Sequence, residues 1–174
     1  MLARCYSGAI IGVDARTVEI EVYSAIGTSQ FAIVGLPDQA VKEAKDRIPT
    51  ALKSQGLASK KEYNITVNLA PADVRKEGPI YDLPIAICLL AATGRIKNRH
   101  LDAYAMIGEL ALSGEVRPVR GVLPMVLEMK RIGCRAVLVP AANAEEASVV
   151  RGIDVIPVSV LQDAVLYLNG EVTI

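Results

Sequence analysis

The side chains able to do chemistry in this 174-residue sequence gather in two segments, VNLAPADVRKEGPIYDLPIA (Val67 to Ala86) and GELALSGEVRPVRGVLP (Gly108 to Pro124). Each holds basic residues in or beside a turn, Arg75 and Lys76 in the first, Arg117 and Arg120 in the second. Between them lie the carboxylates Asp73, Glu77, Asp82, Glu109 and Glu115. Guanidinium forks suit phosphate and carboxylate, so one reading makes the four cations a contact surface for a phosphate, a neighbouring subunit or another module. The other pairs them with those carboxylates and so ties the loops down. The balanced local charge favours the second.

Other chemistry is sparsely equipped. The single histidine, His100 in KNRH, has no positioned partner in the sequence pattern and reads as a solvated loop residue. One histidine excludes an H-E-x-x-H zinc site, a Ser-His-Asp triad and a Cys-His pair. Cys5, Cys88 and Cys134 are far apart and never in C-x-x-C, so they read as small buried hydrophobes in a reducing cytoplasm. No G-x-x-x-x-G-K-[ST] loop is present to cradle a nucleotide. What remains is carboxylate or Ser-Lys chemistry, with Ser7 and Ser113 as the serines a displaced nucleophile would use.

The elements that must position these loops follow from periodicity. Val18 to Val22 alternates and Gln30 to Val34 is apolar and β-rich, with Gly27-Thr28-Ser29 between them, which predicts a hairpin; a strand from about Ala3 to Ile11 pairs beside it. Asp38 caps a helix running to about Ser54, with Ala40, Val41, Ala44 and Ile48 on one face and Pro49 kinking or ending it. Tyr63 to Leu69 is the strongest strand, and Asp82 to about Ala92 an apolar helix with Pro84 in its first turn. Tyr104 to Leu112 and Glu115 to Val119 read as strands around Ser113-Gly114, followed by a helix from Gly121 to about Gly133. Its stripe Val122, Met125, Val126, Met129 is core or interface. Strand 136–139, helix 144–150, strand 154–157 and helix 160–168 complete the chain. A hairpin half followed by a βαβα half predicts a two-layer α/β (α+β) domain rather than a doubly wound one.

Composition narrows the function classes. Formal charge is zero, with 19 basic and 19 acidic residues, so no global field draws the chain to nucleic acid or an anionic membrane. Aromatics are 4% of the residues, with one Phe and no Trp, which leaves few platforms for stacking bases. The longest apolar stretch, Leu83 to Gly94, falls well short of the ~20 residues of a membrane span, and the N-terminus lacks a signal-peptide pattern. A chain of this length buries roughly 70% of its unfolded surface as one domain.

The strand, the turn Glu77-Gly78-Pro79 leading into a helix, and the hairpin GELALSGEVRPV followed by a helix resemble the proteolytic domain of Lon proteases. That family carries its nucleophilic Ser directly after the D-G-P turn and its Lys in the G-G-L-K after the hairpin. Here those positions hold Ile80 and Leu123. The resemblance thus implies the frame without its dyad, because a serine nucleophile needs an adjacent base and neither replacement has a titratable atom.

A more specific resemblance, to the N-terminal domain of ComM-type and YifB-type proteins called magnesium-chelatase-like or ChlI-like, is carried by YSGAIIGVDA, FAIVGLPDQAVKEAKDRI, NLAPADVRKEGPIYDLPIA, GELALSGEVRPVRGVLPM and VPAANAEEA. These motifs span nearly the whole chain. The resemblance implies a single Lon-like domain over residues 1–170, set ahead of a AAA+ ATPase module that this chain does not contain. It further implies ATP and Mg in that module, no cofactor or metal here, a homo-hexameric ring, a cytoplasmic location, DNA processing during natural transformation with DNA as a partner, and no membrane. For the chain itself it implies a non-catalytic assembly or interaction domain. The alternatives are a Lon-like peptidase with a displaced nucleophile and a direct DNA-binding module. A role in pigment synthesis has no support, since no His or Cys ligands cluster in the sequence.

Overall fold

The alternation that begins in VEIEV extends on both sides of it. In the computed structural model, which describes residues 1–171, β1 (Leu2–Ile11) and β2 (Asp14–Ile26) form a long antiparallel hairpin, in register from Leu2 against Tyr23 to Ile11 against Asp14. β3 (Phe31–Val34) does not close a hairpin with β2. Instead β4 (Tyr63–Ala70) lies between them, antiparallel to β2 and parallel to β3. Backbone ladders on both sides hold β4 there, and Asn64 Oδ1 accepts from the backbone N–H groups of Thr28 and Gln30 at 2.9 and 3.1 Å. That side chain holds the Gly27-Thr28-Ser29 loop against β4, so the glycine-containing turn serves an insertion rather than a tight reversal.

Seven strands form one sheet in the order β3-β4-β2-β1-β5-β8-β9, with β5 (Tyr104–Met106), β8 (Ala136–Pro140) and β9 (Asp154–Val158) parallel to one another and β5 parallel to β1. On one face lie α1 (Gln39–Lys42), α2 (Ala44–Ser54), α3 (Asp82–Ala92) and α6 (Leu161–Leu168). The expected single helix from Asp38 is two, with the break at Glu43. Pro49 sits inside α2 without ending it, because Ile48, Ala51 and Leu52 are buried on either side of it, and tertiary packing outweighs a lost backbone bond. All eleven residues of α3 are buried, so this helix is the centre of the larger core.

The mixed α/β class is as the sequence predicts, and the layering varies along the sheet. Over β3, β4 and β2 the second face is open, with Tyr23, Ala25, Ala32, Val34 and Thr66 exposed. Further along, α4 (Val122–Arg131) and α5 (Ala144–Ala147) cover that face, so two layers become three. Tyr104, Met106, Ala136 and Leu138 point into the α3 core, while Ala105, Ile107, Val137 and Val139 point at α4 and α5. Continuous apolar runs of this kind mark strands buried on both faces. The Val122, Met125, Val126, Met129 stripe is fully buried there, as helical spacing predicts.

One expected strand is broken. Tyr104 to Leu112 becomes β5 and then β6 (Glu109–Leu110), which pairs with β7 (Val116–Arg117) in a separate two-stranded ribbon. Gly108 diverts the chain: its N–H donates to the Ile80 carbonyl at 2.8 Å and its own carbonyl accepts from Leu83 N–H at 3.0 Å. Among the described residues no helix is long and apolar enough to cross a membrane.

Candidate functional site

Both signature segments leave the same end of the sheet and meet at the one-turn 3₁₀ helix Pro79–Tyr81, which lies between β4 and α3 and bonds to Gly108. Gly78, at φ +82, makes the bend that precedes it. Asp38 holds this bend from across the fold: one carboxylate oxygen caps α1 at Val41 N–H (2.8 Å) and the other accepts from Gly78 N–H (3.0 Å). The expected helix cap is therefore also a clamp on the loop.

Lys76 is not on a contact surface, contrary to the sequence-based expectation. It is fully buried, its backbone pairs with Leu36 and Asp38, and its ammonium donates to the carbonyls of Gly35 (2.7 Å) and Pro71. Burial lowers its pKa, with Asp73 opposing in part. Gly35, at φ +107, packs its backbone directly on β4, where an added Cβ would collide with the Leu69 carbonyl.

Asp82 also departs from the expected pairing. It does not pair with the loop cations but with Arg47 on α2, in a two-pronged contact at 2.7 and 2.9 Å, and it accepts from Leu110 N–H at 3.0 Å. Three elements, α2, α3 and β6, are thereby joined at a carboxylate only 1% exposed. Burial raises the Asp82 carboxyl above its usual 3.8, and the Arg47 guanidinium and the Leu110 N–H pull the other way. Sequence reasoning missed Arg47, although it stands between Ala44 and Ala51 at helical spacing on the buried face of α2. A charge on an apolar stripe demands a partner, and that was the available signal.

The other three cations remain outside. Arg75 meets Glu77 at 3.5 Å with both side chains about 70% exposed, a contact of little energetic weight. Arg117 and Arg120 are exposed, and among the described residues neither has a carboxylate within 4.0 Å. The segment between them is held by Asn143 of VPAANAEEA, which accepts from Val119 N–H and donates to Val119 C=O, both at 2.9 Å.

At the positions where the resemblance to Lon puts the dyad, Ile80 is half-buried and packs against both cores, and Leu123 is 36% exposed in the first turn of α4. Ser7 is fully buried, and among the described residues its hydroxyl has no hydrogen-bond partner. Ser113 is exposed, and its hydroxyl accepts from Glu115 N–H within the ribbon turn. Neither hydroxyl contacts a base. His100 lies exposed in its loop, as expected. Cys5 and Cys88 touch through their sulfurs at 3.3 Å in the core; burial raises the Cys5 thiol, and Cys134 is pushed up to about 11. Thiols of this kind are poor nucleophiles at neutral pH. Among the described residues no three His, Cys, Asp or Glu side chains group as a metal site.

Tyr81 fixes the 3₁₀ helix to the β1–β2 hairpin. Its buried hydroxyl donates to the Gly8 carbonyl at 2.9 Å, and burial pushes its pKa well above the usual phenol value. Tyr81→Phe is expected to cost about 1 to 2 kcal/mol in urea unfolding, since one buried carbonyl loses its donor and little volume changes.

A family model described as subunit ChlI of Mg-chelatase matches residues 18–143, a span that holds Lys76, Ile80, Asp82, Leu123 and Asn143. The chain belongs to the ChlI family. Among curated relatives, competence protein ComM of Haemophilus influenzae is 43% identical over 170 residues, 98% of this chain and 33% of that protein. The uncharacterized protein YifB of Escherichia coli is 39% identical over 173 residues, 98% of this chain and 33% of that protein. A peroxisomal Lon protease homolog 2 of Caenorhabditis elegans is 31% identical over 146 residues, 82% of this chain and 19% of that protein. This ChlI-family chain therefore spans about a third of the length of the ComM and YifB relatives it matches.

Proposed function

We propose that this ChlI-family chain is a non-catalytic assembly or interaction domain of a ComM-like AAA+ ATPase that processes DNA during natural transformation. The observation that carries the reading is a Lon-type frame kept in its backbone and emptied of its chemistry. The Gly78 bend, the 3₁₀ entry to α3, the β6–β7 ribbon and the Gly121 entry to α4 are present, with Ile80 and Leu123 where serine and lysine would stand. The nearest lysine in the loop, Lys76, is locked onto two carbonyls and is not free to act as a base. In this reading residues 1–170 work as one Lon-like unit beside a AAA+ module that binds ATP and Mg. The joined protein forms a homo-hexamer in the cytoplasm, and this domain supplies contact surface through Arg117 and Arg120.

The test joins the chain to the AAA+ module of a ComM-type relative and measures ATP hydrolysis and assembly mass. The chain alone should hydrolyse no ATP. Joined, Arg117→Glu with Arg120→Glu should lower both assembly and turnover while the thermal melt stays in place. Assembly and turnover that are the same with this domain deleted would count against the proposal. A second reading, direct DNA binding, is favoured by the lack of carboxylate partners at Arg117 and Arg120. It requires salt-dependent binding that is lost on Arg75→Glu with Arg120→Glu, because phosphate contacts would dominate such affinity.

A further inference from the structure

At the other end of the sheet, where β1 and β5 begin, a cleft of about 640 Å³ opens beside the KNRH loop. Its floor is aliphatic, formed by the buried Ala91, Ile96 and Leu101, with the exposed Leu2 at its edge, and its rim carries Arg4, Lys97 and Arg99 against the single carboxylate Asp102. Arg4 on that rim is countered by Glu19 and Asp102, at 3.6 and 3.7 Å. Lys97 and Arg99 are not: among the described residues neither has a carboxylate within 4.0 Å. Their backbone is nonetheless anchored. Lys97 N–H donates to Asn169 Oδ1 and the Asn98 side-chain amide to the Leu168 carbonyl, both at 3.1 Å, so the loop is pinned to the end of α6. Two uncompensated cations are thus presented from a fixed loop over an apolar floor.

We propose that this cleft docks an acidic, aliphatic peptide segment of a partner protein. Carboxylates complement Lys97 and Arg99, and aliphatic side chains between them fill the floor, which phosphates alone would leave wetted. No aromatic residue lines the cleft, so it offers no stacking platform for a nucleic-acid base. Its open side suits a chain passing across it rather than a small molecule enclosed within it. The cleft lies at the opposite end of β1 and β5 from Ile80 and Leu123, so it stands or falls separately from the role of the Lon-type frame.

The experiment is fluorescence anisotropy on the whole chain with a fluorescein-labelled peptide of about twelve residues alternating Glu and Leu. Saturable binding is expected, weakened roughly tenfold by Lys97→Glu with Arg99→Glu and by Leu2→Asp, and weakened by salt as screening of exposed charges requires. All three positions are exposed, so the variants should keep the wild-type melt. A matching peptide of Lys and Leu should not bind. The proposal is overturned if the acidic peptide shows no saturable binding, if the Lys97 and Arg99 reversals leave its affinity unchanged, or if an oligothymidylate of equal charge binds as tightly.

Discussion

Asp82→Ala is expected to lower the unfolding free energy by about 3 to 5 kcal/mol, the range for removing one partner from a buried ion pair. The size follows from what is left behind. Arg47, with its side chain only 17% exposed, would keep only the Ala40 carbonyl and the exposed Glu43 for its guanidinium, and the Leu110 N–H would lose its acceptor. Arg47→Met should do comparable damage by stranding the carboxylate. Together, Arg47→Met with Asp82→Leu should recover part of the loss, because neither charge then needs solvation while the Leu110 N–H and the Ala40 carbonyl stay unpaired, and the double-mutant cycle measures the coupling. The pH dependence has a definite sign. Burial raises the folded-state carboxyl above 3.8, so the folded chain binds the extra proton, and stability from this group is fully present below that value and is lost as pH rises through the native midpoint. Urea midpoints of wild type and Asp82→Asn across acidic pH should converge or cross in that direction. A single alanine variant within about 1 kcal/mol of wild type would show that the contact is not the joint described.

Lys76→Met is expected to cost about 2 to 4 kcal/mol and to loosen the loop from Pro71 to Gly78. Methionine keeps the packing of the stem but leaves the carbonyls of Gly35 and Pro71 without their donor, at about 1 to 3 kcal/mol each. Release from burying a charge offsets part of this, which holds the total below the sum. Because burial lowers the Lys76 pKa below 10.5, its contribution grows as pH rises through the folded value toward the unfolded one, so the gap between wild type and variant should widen at alkaline pH. Urea unfolding checks the energy, and amide exchange over the loop checks the loosening. A surface lysine would show neither effect.

Much of the scaffold was legible in the sequence because burial leaves a period. The β4 strand, the α3 helix and the apolar stripe of α4 fall where alternation and helical spacing put them, and Asp38 caps a helix as its type predicts. What was not legible depended on side chains reaching between distant segments. Asn64 ties the Gly27-Thr28-Ser29 loop to β4, and nothing in that loop's own sequence distinguishes it from a hairpin turn. Lys76 turns inward and donates to the Gly35 carbonyl across the fold, a match that spacing within either loop does not reveal. Asp82 chose Arg47 over the nearer cations, and only the position of Arg47 on an apolar helix face hinted at it. The second helical layer could have been read from the doubly apolar β5 and β8. At the candidate site, Ile80 and Leu123 were identified by resemblance, and the structure adds that both are packed or surface aliphatic residues in an otherwise ordered frame.

The proposed loss of Lon-type hydrolysis follows from Ile80 and Leu123 standing where the resemblance puts serine and lysine. It is tested most directly by incubating the chain with a fluorescein-labelled unfolded protein such as casein and following the release of peptides. No release above buffer is expected. Turnover that disappears on Ser7→Ala or Ser113→Ala would contradict it, and would place a working nucleophile where the structure shows a buried, unpartnered hydroxyl or a turn.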